Sequence, residues 1–222
     1  MIGKLYNFRF EFFFFSMLAI LFGTLVFPDN LFENILMPIL LLFNIATGML
    51  LLLKKKGFVS VFVVLFAGAL FVFVNRVIIG NENEGLAFFR MFIYFVFYTI
   101  VTLEIIRQIW NASIVNRKVI VGLMSGYISL GLMAFFMFWA IEMANPGSFE
   151  GLSAINTGYV EIVDTLLYYS YITLLTIGYG EITPITSVAQ KAAVLTGLSG
   201  QFYLVIITAI VVGKFIRQSS KK

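Results

Sequence analysis

Six long apolar runs, parted by charged breaks, limit what this chain can become. They cover residues 8–27, 34–53, 58–79, 86–110, 119–143 and 187–213. A helix rises 1.5 Å per residue, so about 20 apolar residues cross a ~30 Å hydrocarbon core. Each run is long enough. Backbone in hydrocarbon must satisfy its own hydrogen bonds, and a single apolar segment does so as a helix. The chain is 61% hydrophobic and 12% charged, where a soluble domain is about a quarter charged. The expected class is an all-α membrane protein of six transmembrane helices, with no room for a soluble catalytic domain. Lys4 and Arg9 stand before the first run as in a signal peptide, but the run is long and no small-residue cleavage site follows. An uncleaved helix is expected.

Chemistry is narrowed by what is missing. The chain has no Cys and no His. That removes disulfides, thiol nucleophiles, imidazole bases and the usual transition-metal ligands. Gly197-Leu198-Ser199-Gly200 matches a serine-protease-like Gly-x-Ser-Gly, yet an intramembrane serine needs a base that is absent. Asp29 and Asp164 are the two aspartates, and both fall outside the runs, so an aspartyl intramembrane protease is excluded as well. No enzyme and no organic cofactor are expected.

The net charge of +4 matters through its placement. Lys4 and Arg9 precede the first run; Lys54, Lys55 and Lys56 join the second and third. Arg117 and Lys118 join the fourth and fifth, and Lys214, Arg217, Lys221 and Lys222 follow the sixth. Alternate breaks hold Asp29, Glu33, Glu82, Glu84, Glu150, Glu161 and Asp164. The Lys/Arg bias puts both termini in the cytoplasm of a multi-pass inner or plasma membrane protein. Basic loops facing the cytoplasm account for the charge without nucleic acid as a partner.

The connection at 144–186 is unlike the others. It opens polar, "NPGSFEGLSAINTGY", and turns apolar at "IVDTLLYYSYITLL", which is too short to span. A short apolar run between full spans is a re-entrant helix candidate, with Asp164 near its positive end. Thr176-Ile177-Gly178-Tyr179-Gly180 follows. Non-helical backbone at membrane depth must line water or be buried in protein. Alternating glycines permit conformations closed to other residues, and successive carbonyls can then face one side. Four such segments around an axis would stack rings of oxygens able to replace an ion's hydration shell.

This stretch, with "YYSYITLLTIGYGEITPIT" before it and "AAVLTGLSGQFYLVIITAIVVG" after it, resembles the pore module of six-transmembrane tetrameric potassium channels. The resemblance covers the fifth and sixth runs. It implies a peripheral four-helix bundle at 1–116 and a pore domain at 117–222. In that pore domain an outer helix, a re-entrant pore helix, a selectivity-filter loop and an inner helix would follow in order. It further implies potassium ions as the bound species, three further copies of the chain as partners, and membrane lipid as the surroundings. By position, Thr176, Ile177, Gly178 and Tyr179 would give filter carbonyls, and Gly180 the exit turn. The ring of Tyr179 would pack on the pore helix. Tyr168, Tyr169 and Thr173 would support the filter. Glu181 stands where the family has Asp, and Ile172 where several members have a buried carboxylate. Both departures bear on filter stability and slow inactivation. Gly200 takes the hinge position, and Gln201, Leu204, Thr208 and Val212 form one face towards the cavity. Val212, Phe215 and Ile216 are candidates for the gate.

The first four runs lack a voltage sensor's charge ladder, which needs Arg or Lys at every third position. The fourth has Arg90 near one end and Glu104 and Arg107 near the other. Arg90 and Arg76 are expected to snorkel or to pair with Glu82 or Glu84. Voltage dependence is expected to be weak or absent. The nucleotide- or calcium-binding domain that many prokaryotic relatives carry after the inner helix is not expected. The alternatives are a weakly selective cation channel and a non-conducting sensor or scaffold subunit.

Overall fold

The structure, a computed structural model, describes residues 6, 8–28, 31–52, 56–79, 84–152 and 159–220. Helix α1 runs Arg9–Phe22 and ends in a 3-10 turn at Gly23–Leu25. A π turn at Phe32–Leu36 leads into α2, Met37–Leu52. Then come α3 (Lys56–Ile79), α4 (Glu84–Trp110) and α5 (Arg117–Ala144). Strand β1 (Phe149–Glu150), helix α6 (Tyr159–Leu174) and strand β2 (Thr183–Pro184) form the connection. The last element is α7 (Ser187–Phe202), a π turn (Tyr203–Ile207) and α8 (Thr208–Ser219).

Three helices among the described residues are long and apolar enough to cross a membrane: Gly85–Trp110, Arg117–Ala144 and Ser187–Ser219. The other three apolar runs also fold as helices, with shorter apolar segments such as Met37–Leu52 and Val59–Asn75. At 14 residues, α1 spans about 21 Å, short of the ~30 Å core. Its run is broken where the Phe32 ring seats on Gly23; a Cβ there would enter the ring. Helix ends thus answer to tertiary packing that apolar patterning does not record.

Helix α5 sits at the centre, packed on α1, α4, α6 and α7. Asn116 starts it by accepting from the Lys118 and Val119 amides at 3.0 and 3.2 Å, an N-cap that satisfies otherwise orphaned donors. Stacked rings of Tyr94, Tyr98 and Phe136 join α4 to α5, with centroids 5.1 and 5.6 Å apart. The α1–α2–α4 contact is polar at depth. Asn44 donates to Ser16 at 2.6 Å and accepts from Tyr98 at 3.0 Å. In an apolar solvent such interhelical bonds and small residues hold helices together better than greasy surface does.

Lys4, Asp29, Lys54, Lys55, Glu82, Lys221 and Lys222, and the side chains of Glu33, Lys56, Arg76, Glu84 and Glu161, lie outside what the structure describes. The expected pairing of Arg90 with Glu82 or Glu84 falls there too. Arg90 also reaches α5, with its guanidinium carbon 5.5 Å from the Trp139 ring centroid. Such a cation–π contact suits an arginine held near an interface.

Candidate functional site

The site begins where α6 stops. The Leu175 amide donates to Tyr171 at 2.8 Å, the last helical bond. The Thr176 amide then turns back to Thr173 at 3.1 Å, and the Ile177 amide to Ile172 at 2.8 Å. From Leu175 to Glu181 the chain is irregular and exposed. Its dihedrals alternate in sign: Thr176 has φ 57°, Gly178 59° and Gly180 95°, while Ile177 and Tyr179 are not positive. In an ordinary strand successive carbonyls point to opposite faces. Alternating left- and right-handed residues instead bring successive amides to one side and carbonyls to the other. A Cβ built on Gly178 or Gly180 would meet nothing within 4 Å. Backbone conformation, and not space against the same chain, is therefore what asks for glycine there.

Thr176 is the strained member. It is the one non-glycine with positive φ among the described residues, and for a β-branched residue that is a true outlier. Its hydroxyl accepts from Gln201 Nε2 of α7 at 3.2 Å. Strain of this kind persists where surroundings over-determine it, and it clusters at functional sites.

The supporting residues come together around this segment. Tyr168 and Glu181 are hydrogen-bonded, which holds the exposed Tyr168 phenol up at about 12. Tyr169 is buried and bonded to the Thr173 side chain. Ile172 is buried as well, so the space behind the segment is apolar at that point. Tyr179 lies near Tyr168, whose phenol it helps to raise. Its side chain is 72% exposed in the single chain. Asp164 lies in the second turn of α6, beyond the first turn where the dipole acts.

The inner-helix residues divide by face. Thr196, Gly200, Tyr203, Ile207 and Val211 are buried against the chain, whereas Gln201, Leu204, Val212, Phe215 and Ile216 are exposed and Thr208 is half-buried. Gly200 is a close-packing position: a Cβ there would collide with the Leu174 carbonyl oxygen at the end of α6. The break in helix geometry falls just after it, at the Tyr203–Ile207 π turn.

Several structural contributors are not visible in the sequence reading. Strand β1 pairs antiparallel with β2, Phe149 opposite Pro184 and Glu150 opposite Thr183. This lays the start of the 144–186 connection against the chain just past Gly180. Gly151, at φ 95°, fits where a Cβ would strike the Glu181 carbonyl. Phe149 is buried between Phe138 and Tyr169, with centroids at 5.5 and 5.3 Å. Glu142 holds the turn by accepting from the Gly147 and Phe149 amides at 2.7 and 3.2 Å. On α5, Gly131 makes room for Tyr171, whose hydroxyl donates to Ile128 O at 2.7 Å. The glycine and tyrosine spacings were the available signal, but glycine in a membrane helix has many uses.

Residues 131–217 match a family model described as "Ion channel". They run from within α5, through α6, the 176–180 segment and α7, into α8. That part of the chain is therefore similar to ion channels, in keeping with its apolar, membrane-length helices. No curated protein and no solved structure matches the chain.

Proposed function

We propose that the chain is one subunit of a potassium-selective channel in which four copies surround a single pore. The alternating positive φ of Thr176, Gly178 and Gly180 carries this reading. An exposed segment whose carbonyls would face one side is chemically poor as a lone surface. It is well suited to an axis where ions take the place of hydrogen-bond donors. The exposed faces of α7 and α8 and the exposed Tyr179 ring await the neighbouring copies in the same arrangement. Potassium would bind at the carbonyls of Thr176, Ile177, Gly178 and Tyr179, with the Thr176 hydroxyl at the inner end. Gly180 and Glu181 would form the outer exit, and α6 would be the re-entrant pore helix. Gln201, Leu204, Thr208 and Val212 would line the cavity, with bending at Gly200 or the π turn beside it. Val212, Phe215 and Ile216 would close the cytoplasmic end.

Helices α1–α4 would form the peripheral bundle, with both termini cytoplasmic and little voltage dependence. Passive flux from reconstituted liposomes under separate potassium and sodium gradients tests this function. Potassium flux blocked by barium, with sodium excluded, is expected; equal flux of both ions rejects the selectivity.

A further inference from the structure

A cavity of about 540 Å³ lies at the opposite end of the bundle from β1 and β2, where α1, α4 and α5 meet at the 111–116 loop. It is lined by three cations, Arg9, Arg107 and Lys118, against one carboxylate, Glu104. Gln108 Nε2 donates to Glu104 at 3.1 Å and to Leu51 O at 2.9 Å. Its amide oxygen accepts from Arg9 Nη2 at 3.2 Å and Nε at 3.4 Å. Arg9 Nη1 donates to Tyr6 O at 3.1 Å, and the guanidinium carbon lies 4.1 and 4.5 Å from the Tyr6 and Phe10 ring centroids. These bonds use three of five guanidinium N–H groups. The arginine is therefore held in place by the protein, with donors to spare. The volume falls in the range of small-ligand sites.

The walls are as informative as the charge. Phe10, Leu51 and Val119 add apolar surface to the lining, and Ile114, also in the lining, is 59% exposed. Cations beside apolar side chains at the level where membrane helices end suit an amphiphile better than a free ion. We infer that this cavity holds the headgroup of an anionic phospholipid from the cytoplasmic leaflet. Basic pockets between membrane helices on that side have this chemistry. The inference rests on the cytoplasmic orientation of the 111–116 loop.

The location gives the site a route to the pore. Lys214 of α8 donates to the carbonyls of Ile109 at 3.4 Å, Ala112 at 2.9 Å and Trp110, capping the end of α4. Gln218 of α8 accepts from the Val115 amide at 2.9 Å. A headgroup in the cavity therefore presses on the loop that the end of α8 grips.

The test is lipid retention by the full chain, read by native mass spectrometry in detergent. Phosphatidylglycerol, phosphatidylcholine and inorganic phosphate are supplied separately. Phosphatidylglycerol retained over phosphatidylcholine, and weakened on the order of tenfold in Arg107→Gln/Lys118→Gln, supports the site. Lys191→Gln, elsewhere on the surface, should leave retention unchanged. If the double variant melts lower in detergent alone, Arg107→Lys/Lys118→Arg replaces it and should retain the lipid. Equal retention by wild type and the neutralised pair overturns the inference. So does loss in the charge-preserving pair, or binding of inorganic phosphate with no preference for the anionic lipid. This readout needs no conduction, so a failed lipid site and a failed channel reading are told apart by flux in phosphatidylcholine vesicles.

Discussion

Thr176 shows how much the smallest scale decides. A left-handed β-branched residue costs about 1–2 kcal/mol relative to its ordinary conformation, and its retention here implies that something else fixes the backbone. Gly178, at φ 59°, has the same handedness without the cost. Gly178→Ala should keep helix content and membrane insertion but lose potassium selectivity or conduction. Wild-type flux in that variant removes the filter assignment. Tyr168→Phe breaks the hydrogen bond to Glu181 and should speed loss of conduction during sustained flux, whereas Tyr169→Phe keeps the buried ring and loses only the bond to Thr173. An unchanged time course in Tyr168→Phe would show that the pair does not brace the outer end. The pH dependence follows from the raised phenol, at about 12 against an ordinary value near 10. A raised folded value favours the neutral form, so this contribution is complete below about 10 and is lost between there and about 12. Flux measured from neutral pH to about 9 should show no effect of this phenol's ionisation.

At the scale of elements, packing around α6 makes the clearest predictions. Phe149 is 2% exposed, and Phe149→Ala should cost about 3–5 kcal/mol of stability and shorten the lifetime of the conducting state. Gly200→Ala drives a methyl at the Leu174 carbonyl. Overpacking of this kind costs about 1–3 kcal/mol, so thermal unfolding in detergent should move down. No change in melting would mean that α6 and α7 separate more easily than their contact suggests. The 176–180 segment was legible in part because its information is local: glycine marks the positive dihedrals at 178 and 180, though not the one at Thr176. The apolar runs were legible too, because membrane burial imposes composition. Strands β1 and β2 were not. Each is two residues long, and their pairing joins positions far apart in sequence. The turns at Gly23–Leu25 and Phe32–Leu36 were equally hidden, since a ring from one segment fixes the backbone of another.

Under the proposed function the whole molecule would be a pore module built onto a helical bundle through α5, with a second contact where α8 grips the 111–116 loop. Lys214→Met removes the cation from the end of α4 and should alter open probability while leaving the potassium-to-sodium ratio unchanged. A changed ratio would place Lys214 in the permeation path instead. Arg90 lies over Trp139 rather than in a ladder of charges, so conductance should vary little with voltage, and a steep curve lost in Arg90→Gln would reverse that assignment. The glycine pattern of 176–180 was readable along the chain, but the packing of α4 on α5 was not, because charge spacing along α4 says nothing of which helix faces it. The most direct test of potassium conduction remains flux from liposomes holding the purified chain, under potassium and then sodium gradients of equal size. Barium-sensitive potassium flux with sodium retained is the predicted result; equal, barium-insensitive passage of both ions would contradict the account.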